Sequence, residues 1–522
     1  ARRSRGWLTA GRDGRYIFLD FLDFAIDRPL LYSAAISRRT LPRLELPLFD
    51  REYQRSQFNV FAQDTFKLTR RLTLNAGLRY EHFGAPVNTG PVKDGVLDLH
   101  SGRLDFPASG KQLLYRPDRG NWAPRFGFAY DLTGAGRLLV RGAYGLFYDR
   151  PFENLWQNVR NNSFLLLSFL AGPGNYLAPV SEVLPRYASQ PQYSDFPSLT
   201  LLEKDLRNGY AQSYFFGVER RLAESWLVKV NLLGALGRRL VTTDQINRPD
   251  GSHNPDLPLV SYRGSQGLSN YHALTGVVRY RSRNAQFQAA YTWSHAIDLQ
   301  SEPLASEFFD LRFVCVAPEA RYQSMAAFSR QSDSHGDRGN SDFDQRHNLV
   351  FFSILELPGA LRGWRLSQLA AFRTGFPFSV LAPSTVTIFN NRADVVGPVA
   401  TDTAAPGGRR LLDAAGFRAP PFNRVGNSGR NAFRGPGLFN VDVSLGRSFP
   451  LSLLGESGRI TLRVDAFNVF NHANLNPPNS LLGSADFGVA LYGRRGRDTG
   501  FPALSPLVET ARQIQVILRV EF

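Results

Sequence analysis

The sequence predicts an all-β chain, an antiparallel up-and-down transmembrane β-barrel with short turns at one end and long loops at the other. Three observations predict it. Long runs of residues alternate between apolar and polar. The runs come in hairpins joined by tight turns. The hairpins are separated by long polar connections rich in Gly, Pro and Asp.

The clearest run is the last. Ile514, Val516, Leu518, Val520 and Phe522 share one parity, and Gln513, Gln515, Arg519 and Glu521 share the other, with Ile517 the exception. Strand side chains alternate between faces, so this is a strand with one oily and one wet side. It lacks Gly and Pro and is rich in β-branched residues, which suits a strand. Its length fits the roughly 9–11 residues that cross a bilayer at a tilt, against about 5–6 for the usual strand of a soluble domain.

The first 56 residues are mixed. Tyr16 to Phe24 reads as one strand and Leu31 to Ile36 as part of another, so residues 1–56 form a poorly defined segment with one or two barrel strands, and 57–522 the barrel region. From Gln57 the signal is clean. Phe58, Val60, Ala62, Phe66 and Leu68 oppose Gln57, Asn59, Gln63, Thr65 and Lys67, with Asp64 breaking the oily parity. After a break at Thr69 to Arg71, Leu72, Leu74, Ala76, Leu78 and Tyr80 oppose Thr73, Asn75, Gly77, Arg79 and Glu81. Two such runs with a tight connection make an antiparallel hairpin.

Five more units follow. Arg125–Asp131 turns through TGAG (Thr133 to Gly136) into Leu138–Tyr148. Gln212–Arg221 pairs with Trp226–Gly234, Tyr271–Arg281 with Ala285–His295, Arg346–Glu356 with Trp364–Arg373, and Phe439–Phe449 with Arg459–Phe470. With the last strand this makes thirteen runs, and segments before Gln57 and within 155–209 raise the expectation to about 14–16. Turns of about three to nine residues alternate with connections of roughly 35–75. Compact soluble domains rarely hold so many long loops, whereas outer-membrane barrels pair short periplasmic turns with long external loops. The soluble alternatives, a propeller or large sandwich, have shorter strands and more even spacing.

Energetics choose the lipid-facing side. A charge near the midplane of the lipid face costs roughly 2–4 kcal/mol. The odd parity of the last strand carries Arg519 and Glu521, and the even parity carries no charge. Backbone groups in hydrocarbon must all pair, so the sheet is expected to close. Bacterial barrels usually have an even strand number, so the odd count suggests further strands upstream.

Composition excludes several classes. No run of about 18 apolar residues occurs, so helical spans are not expected; alternate apolar positions are compatible with the overall 43% hydrophobic content. The 12% aromatic fraction suits two interfacial girdles. Cys315 is the single cysteine, so there is no intramolecular disulfide and no Cys-based metal cluster. The net charge of +16 raises nucleic acid as a partner, but the arginines are spread along the chain, many on wet faces. An Arg-rich lumen, or a surface facing anionic headgroups of the outer-membrane lipid, fits better. The N-terminal ARRSRGWLTAG has no apolar core and is not a signal peptide.

Several segments in order resemble the Oar-like TonB-dependent receptors: FNVFAQDTFKLTRRLTLNAGLRYEHF (58–83), NWAPRFGFAYDL (121–132), VRGAYGLFYDRP (140–151), DQRHNLVFFSILELP (344–358), FRTGFPFSV (372–380), GRNAFRGPGLFNVDVSLGRSF (429–449), VDAFNVFNHANLN (464–476) and RQIQVILRVEF (512–522). The resemblance implies part of a 22-stranded outer-membrane barrel closed by an N-terminal plug. It implies transport of an unidentified substrate across the outer membrane, powered by the TonB complex through that plug. The plug and the first strands have no counterpart in these residues, so the expectation is a fragment, the C-terminal part of such a barrel. The resemblance also implies that the C-terminal aromatic, here Phe522, is read by the barrel-assembly machinery. The stretch from Gly488 to Pro506 is longer than the pattern.

Chemistry-bearing residues are few. Asp333, His335, Asp337, Asp342, Asp344 and His347 cluster, and carboxylate oxygens suit a divalent cation; the reading preferred is a solvated loop running into a strand. No nucleophile elbow, zinc-protease helix or P-loop occurs, so neither enzyme activity nor a cofactor is expected. Wet-face Arg79, Arg125, Arg141, Arg279, Arg463 and Arg519 are candidates to line a lumen, either meeting an anionic or peptide substrate or forming ion ladders with Glu81, Asp131 and Asp465. A passive pore, an adhesin-type barrel and a soluble secreted glycan-binding β-protein are the alternatives.

Overall fold

The computed structural model describes the whole chain except residues 1, 7–13, 41, 49, 100, 171–181, 183–192, 196–198, 250–252, 256, 305–324, 384, 386, 452–457 and 494–510. Cys315 and much of the 488–506 stretch lie outside the described residues.

Thirteen strands carry the fold: β1 (Gln57–Lys67), β2 (Leu72–Phe83), β3 (Trp122–Asp131), β4 (Leu138–Tyr148), β5 (Tyr210–Ala223), β6 (Trp226–Ile246), β7 (Val260–Arg281), β8 (Ala285–Asp298), β9 (His347–Glu356), β10 (Trp364–Arg373), β11 (Leu438–Pro450), β12 (Arg459–Phe467) and β13 (Gln513–Glu521). They are the thirteen runs read from the sequence. Each pairs antiparallel with its sequence neighbours in one meander, and two short strands, Leu199–Leu202 on β7 and Gly339–Asn340 on β8, bring the sheet to fifteen.

The register makes the alternation a surface. One cross-strand row runs Phe66, Leu74, Phe128, Gly142, Phe216, Leu232, Leu274 and Trp293. Gly142 stands in that row because a Cβ there would lie 2.3 Å from the Phe128 ring. At the far end, Ile460, Leu462, Val464 and Ala466 face Val520, Leu518, Val516 and Ile514. These rows are open: Phe66 is 51% exposed, Trp293 54% and Val516 66%. An apolar belt of this extent on a soluble molecule would be covered, so it overturns the soluble alternative. Charges on this face include Asp64, opposite Ala76, and Arg220 and Arg447, which sit near the turn end. There Arg447 lies over the Trp364 and Phe449 rings, as a snorkelling cation does at an interface. Aromatic groups mark both ends of the belt: Phe58, Tyr80 and Trp122 toward the long loops, Trp226, Tyr280 and Phe287 toward the turns.

Local chemistry fixes the turns. In TGAG, Asp131 Oδ1 accepts from the Thr133 and Gly134 amides and Oδ2 from Gly136, while Gly134 and Gly136 take φ of 73° and 68°. All short connections lie at one end of the meander, and 84–121, 149–209, 247–259, 299–346, 374–437 and 468–512 at the other.

Three expectations change. β6 and β7 run far past Gly234 and Tyr271, to 21 and 22 residues. The extra stretch looked like loop because its alternation slips; register shifts between Gly237 and Leu240 and between Leu240 and Thr242 absorb the slip, with Arg239 at φ 54°. Tyr16–Phe24 is not one strand: Arg15–Ile17 is a strand and Phe21–Ala25 a short helix. Asp20 starts that helix by accepting from the Asp23 amide at 2.9 Å, a cap that competes with extension. Leu31–Ser37 is a strand but pairs with Phe164–Leu170 outside the large sheet.

The expected closure is not observed. β1 and β13 are the free edges of the sheet. Because thirteen is odd, both run from the loop end to the turn end, so they cannot pair antiparallel with each other.

Val464→Arg, between Leu445 and Val516 on the apolar face, is expected to cost about 2–4 kcal/mol of folding stability in lipid vesicles. Gln515→Arg on the opposite face is expected to cost far less. Denaturant titration in vesicles measures both.

Candidate functional site: the loops above the sheet

The outer half of the β6–β7 hairpin is the post around which the loops pack. Thr242, Thr243, Asp244, Arg248, Val260, Ser261 and Arg263 are all buried to within about 2%. Arg248 is its central tie. Its Nε donates to the Gln245 carbonyl at 2.7 Å, Nη1 to Ser329 at 2.9 Å and Thr387 at 3.1 Å, and Nη2 to Phe328 at 2.7 Å and to Asp244 Oδ1 at 2.7 Å. The guanidinium also lies 4.5 Å from the Phe389 ring centroid. Asp244 completes the knot by accepting from the Phe328 and Ser332 amides. One ion pair thus holds two loop segments to the hairpin. Burial pushes the Asp244 carboxyl above the usual carboxylate range, against the opposing pull of Arg248.

The pattern repeats around the dome. Arg392 reaches Asp337 and the Ser329 hydroxyl. Arg430 holds Asp298 and Asp342, and burial pushes Asp298 up against the pull of Arg430. Arg434 holds Asp344, and Arg424 holds Asp394 below its ordinary value. On the far side, Arg51 bonds Asp94 at 3.0 Å and the Ser163 hydroxyl at 2.8 Å, and Tyr53 donates to the same Asp94. A small apolar core of Tyr53, Trp156, Tyr115 and Leu206 lies beneath.

In the acid-and-histidine cluster Asp333 and His335 are exposed, as a solvated loop requires, but the carboxylates nearer the strand are tied down. Asp337, Asp342 and Asp344 each face an arginine from 392–434, and Asp337 and Asp344 are buried rather than solvated. His347 Nδ1 meets the Tyr291 hydroxyl at 2.7 Å at the rim of the belt. Among the described residues no group of three or more His, Cys, Asp or Glu is arranged to hold a metal.

The six wet-face arginines lie opposite the apolar belt, and they do not converge on one point. Arg79 bonds Glu81 at 2.6 Å, Arg463 reaches Asp465 at 3.0 Å and Arg519 reaches Glu521 at 2.9 Å. Arg141 pairs with Glu219 at 2.6 Å, and Lys229 joins at 2.8 Å. Arg125 lies 4.6 Å from the Phe147 ring centroid, and Arg279 donates to Gln288. Asp131 is spent on its turn instead. The loop arginines 248, 392 and 430 were invisible to periodicity, because a buried tie and a solvated surface arginine look alike in a loop sequence.

The family described as outer membrane beta barrel domain matches residues 21–515. This chain belongs to that family. The barrel's place is the outer membrane, and the family match covers the N-terminal segment from Phe21 as well as all thirteen strands save the end of β13. Among solved structures the barrel is similar to the outer membrane transporter YddB from Escherichia coli, at 9% identity and a TM-score of 0.46, over 94% of this chain and 59% of that one. It is also similar to the FrpB iron transporter from Neisseria meningitidis, at 9% identity and a TM-score of 0.44, over 96% and 53%. A third is the ferric citrate transporter FecA in its unliganded form, at 10% identity and a TM-score of 0.41, over 94% and 50%. The chain therefore spans between half and three-fifths of each of these structures. No curated protein matches.

Arg248→Met leaves Asp244 buried without its counter-charge, a loss of about 3–5 kcal/mol where the pair is sealed from water. Hydrogen exchange is expected to rise in 325–332 and 385–390 while β9–β12 stay protected. Adding Asp244→Leu is expected to recover part of that protection.

Proposed function

We propose that the chain is the C-terminal part of a transporter barrel resembling the Oar-like TonB-dependent receptors, moving a substrate across the outer membrane. The observation that carries this reading is the pair of free edges running the same way. Antiparallel closure of an odd sheet takes an odd number of added strands. A barrel of about 22 strands would leave about nine to add, which satisfies that parity. In this reading upstream chain supplies those strands and the plug, and TonB acts only through the plug.

The loops supply the second support. An adhesin or passive pore has no need to roof its mouth with loops knotted by buried ion pairs, whereas a gated transporter needs an external surface that holds its shape around a substrate. The wet-face arginines 79, 125, 141, 279, 463 and 519 face the lumen in this reading. Those with acidic partners hold the wall together, while Arg125 and Arg279, lacking a carboxylate among the bonds described, present their charge to an anionic passenger. Phe522 follows β13 at the turn end, on the periplasmic side, where the barrel-assembly machinery reads a terminal aromatic.

Two measurements test the reading. Deleting Phe522, 91% exposed at the end of a strand, is expected to lower the amount of heat-modifiable barrel in outer membranes several-fold, with unassembled protein retained in the periplasm. For the energy coupling, the protein extracted from outer membranes is expected to stay closed in planar bilayers and to cross-link to TonB. Steady ohmic conductance without a cross-link would make it a passive pore.

A further inference from the structure

The ion pairs of the dome leave one group of cations largely unneutralised. Arg116, Arg119, Lys204, Arg207 and Arg239 are all exposed, and the segments that carry them meet at the loop end of the apolar face. The Arg116 amide donates to the Lys204 carbonyl at 2.8 Å. A Cβ on Gly120, next to Arg119, would lie 3.6 Å from Arg207 Nη2. The Arg239 guanidinium stands 5.8 Å from the Tyr210 ring centroid, and that ring packs 5.4 Å from Tyr148. Both Arg207 and Arg239 are in electrostatic reach of the Tyr148 hydroxyl. Against these five cations stand three carboxylates, of which Glu203 is taken up by the Ser265 amide and hydroxyl. Asp118 accepts from Arg207 at 2.9 Å, and Asp205 pairs with Arg116 at 3.1 Å across a solvated gap. Arg119, Lys204 and Arg239 keep no carboxylate partner among the described contacts.

The loop that carries Arg119 is tied to the girdle. Tyr80 donates its hydroxyl to the Arg119 carbonyl and Tyr148 to the Gly120 carbonyl, each at 3.2 Å. Trp122 packs 4.7 Å from Tyr80 and is 55% exposed. The backbone that carries Arg119 is thus held against rings of the lipid-facing belt, and Arg239 stands over another. Interfacial aromatics sit at headgroup level, and cations beside an anionic lipid surface each add attraction. Pairing a shallow cationic cluster with an aromatic shelf suits an amphiphile: phosphate above, acyl chain below. A free anion would gain nothing from the shelf and would be screened in an open patch.

We propose that this rim is a binding site for a phosphate-bearing lipid headgroup of the outer leaflet. The site depends on the membrane placement of the belt and not on the transport reading.

The test uses the protein extracted from outer membranes in mild detergent. Retained lipid A is counted by mass spectrometry, and thermal stabilisation is followed on adding lipid A, the same glycolipid stripped of phosphate, or inorganic phosphate. Wild-type protein is expected to retain lipid A and to be stabilised by it alone. R119Q/K204Q/R239Q is expected to retain about tenfold less, and R119K/R239K, which keeps every charge, to retain the wild-type amount. Equal retention by the glutamine variant, equal stabilisation by the dephosphorylated glycolipid, or loss of retention in the lysine variant would each overturn the site. Full competition by inorganic phosphate would also overturn it, by making it a free-anion site.

Discussion

Every feature of this chain follows from one constraint: inside hydrocarbon, a backbone N–H or C=O has no partner except another strand. The constraint forces a continuous ladder, and the ladder forces a two-residue repeat in which one face meets acyl chains. That is why the belt from Phe66 to Trp293 keeps its parity across eight strands. It is also why a single-residue slip would place Arg and Asp in lipid. Where the ladder leaves the membrane the constraint relaxes. β6 and β7 acquire their register shifts there, between Gly237 and Thr242.

Beyond the belt a different economy takes over. In the loops, chain order is held by charge rather than by period. Arg248, Arg392, Arg430 and Arg434 each bind a carboxylate and at least one backbone carbonyl or hydroxyl from another segment. Guanidinium suits this work because its five donors lie in a fixed fork. A lysine in the same place would satisfy one or two of these acceptors and leave the others buried and unpaired. The dome is therefore a set of knots, each with a high local cost of opening.

This division explains what was legible in the sequence. All thirteen membrane strands were readable, because alternation over nine or more residues is a signal that a single chain carries by itself. The turn at Thr133–Gly136 was readable for the same reason: its Asp and Gly residues have local jobs. The extra length of β6 and β7 was not, since Gly234, Gly237 and Arg239 interrupt the pattern where no lipid enforces it. Nor was the role of Asp337 and Asp344, whose partners lie 55 and 90 residues away. A carboxylate in a polar loop looks the same whether it ends in water or against a distant arginine. The small strand Leu31–Ser37 was visible as a strand, but its partner Phe164–Leu170 could not be read, because pairing across more than a hundred residues of chain leaves no local trace.

The free edges show how far geometry reaches beyond sequence. β1 and β13 each present a row of unpaired backbone groups, and in a bilayer such a row is intolerable rather than merely sticky. Their common direction rules out the simplest remedy, antiparallel closure on each other. Antiparallel cover for both edges would take an odd number of strands, the one beside β13 beginning at the turn end. The same parity places the segment before Gln57 among the loops, where Arg51 bonds Asp94 and Ser163 and Leu31–Ser37 pairs with Phe164–Leu170. The residues leading into β1 are thus part of the external dome, and they fasten it to the first strand of the sheet.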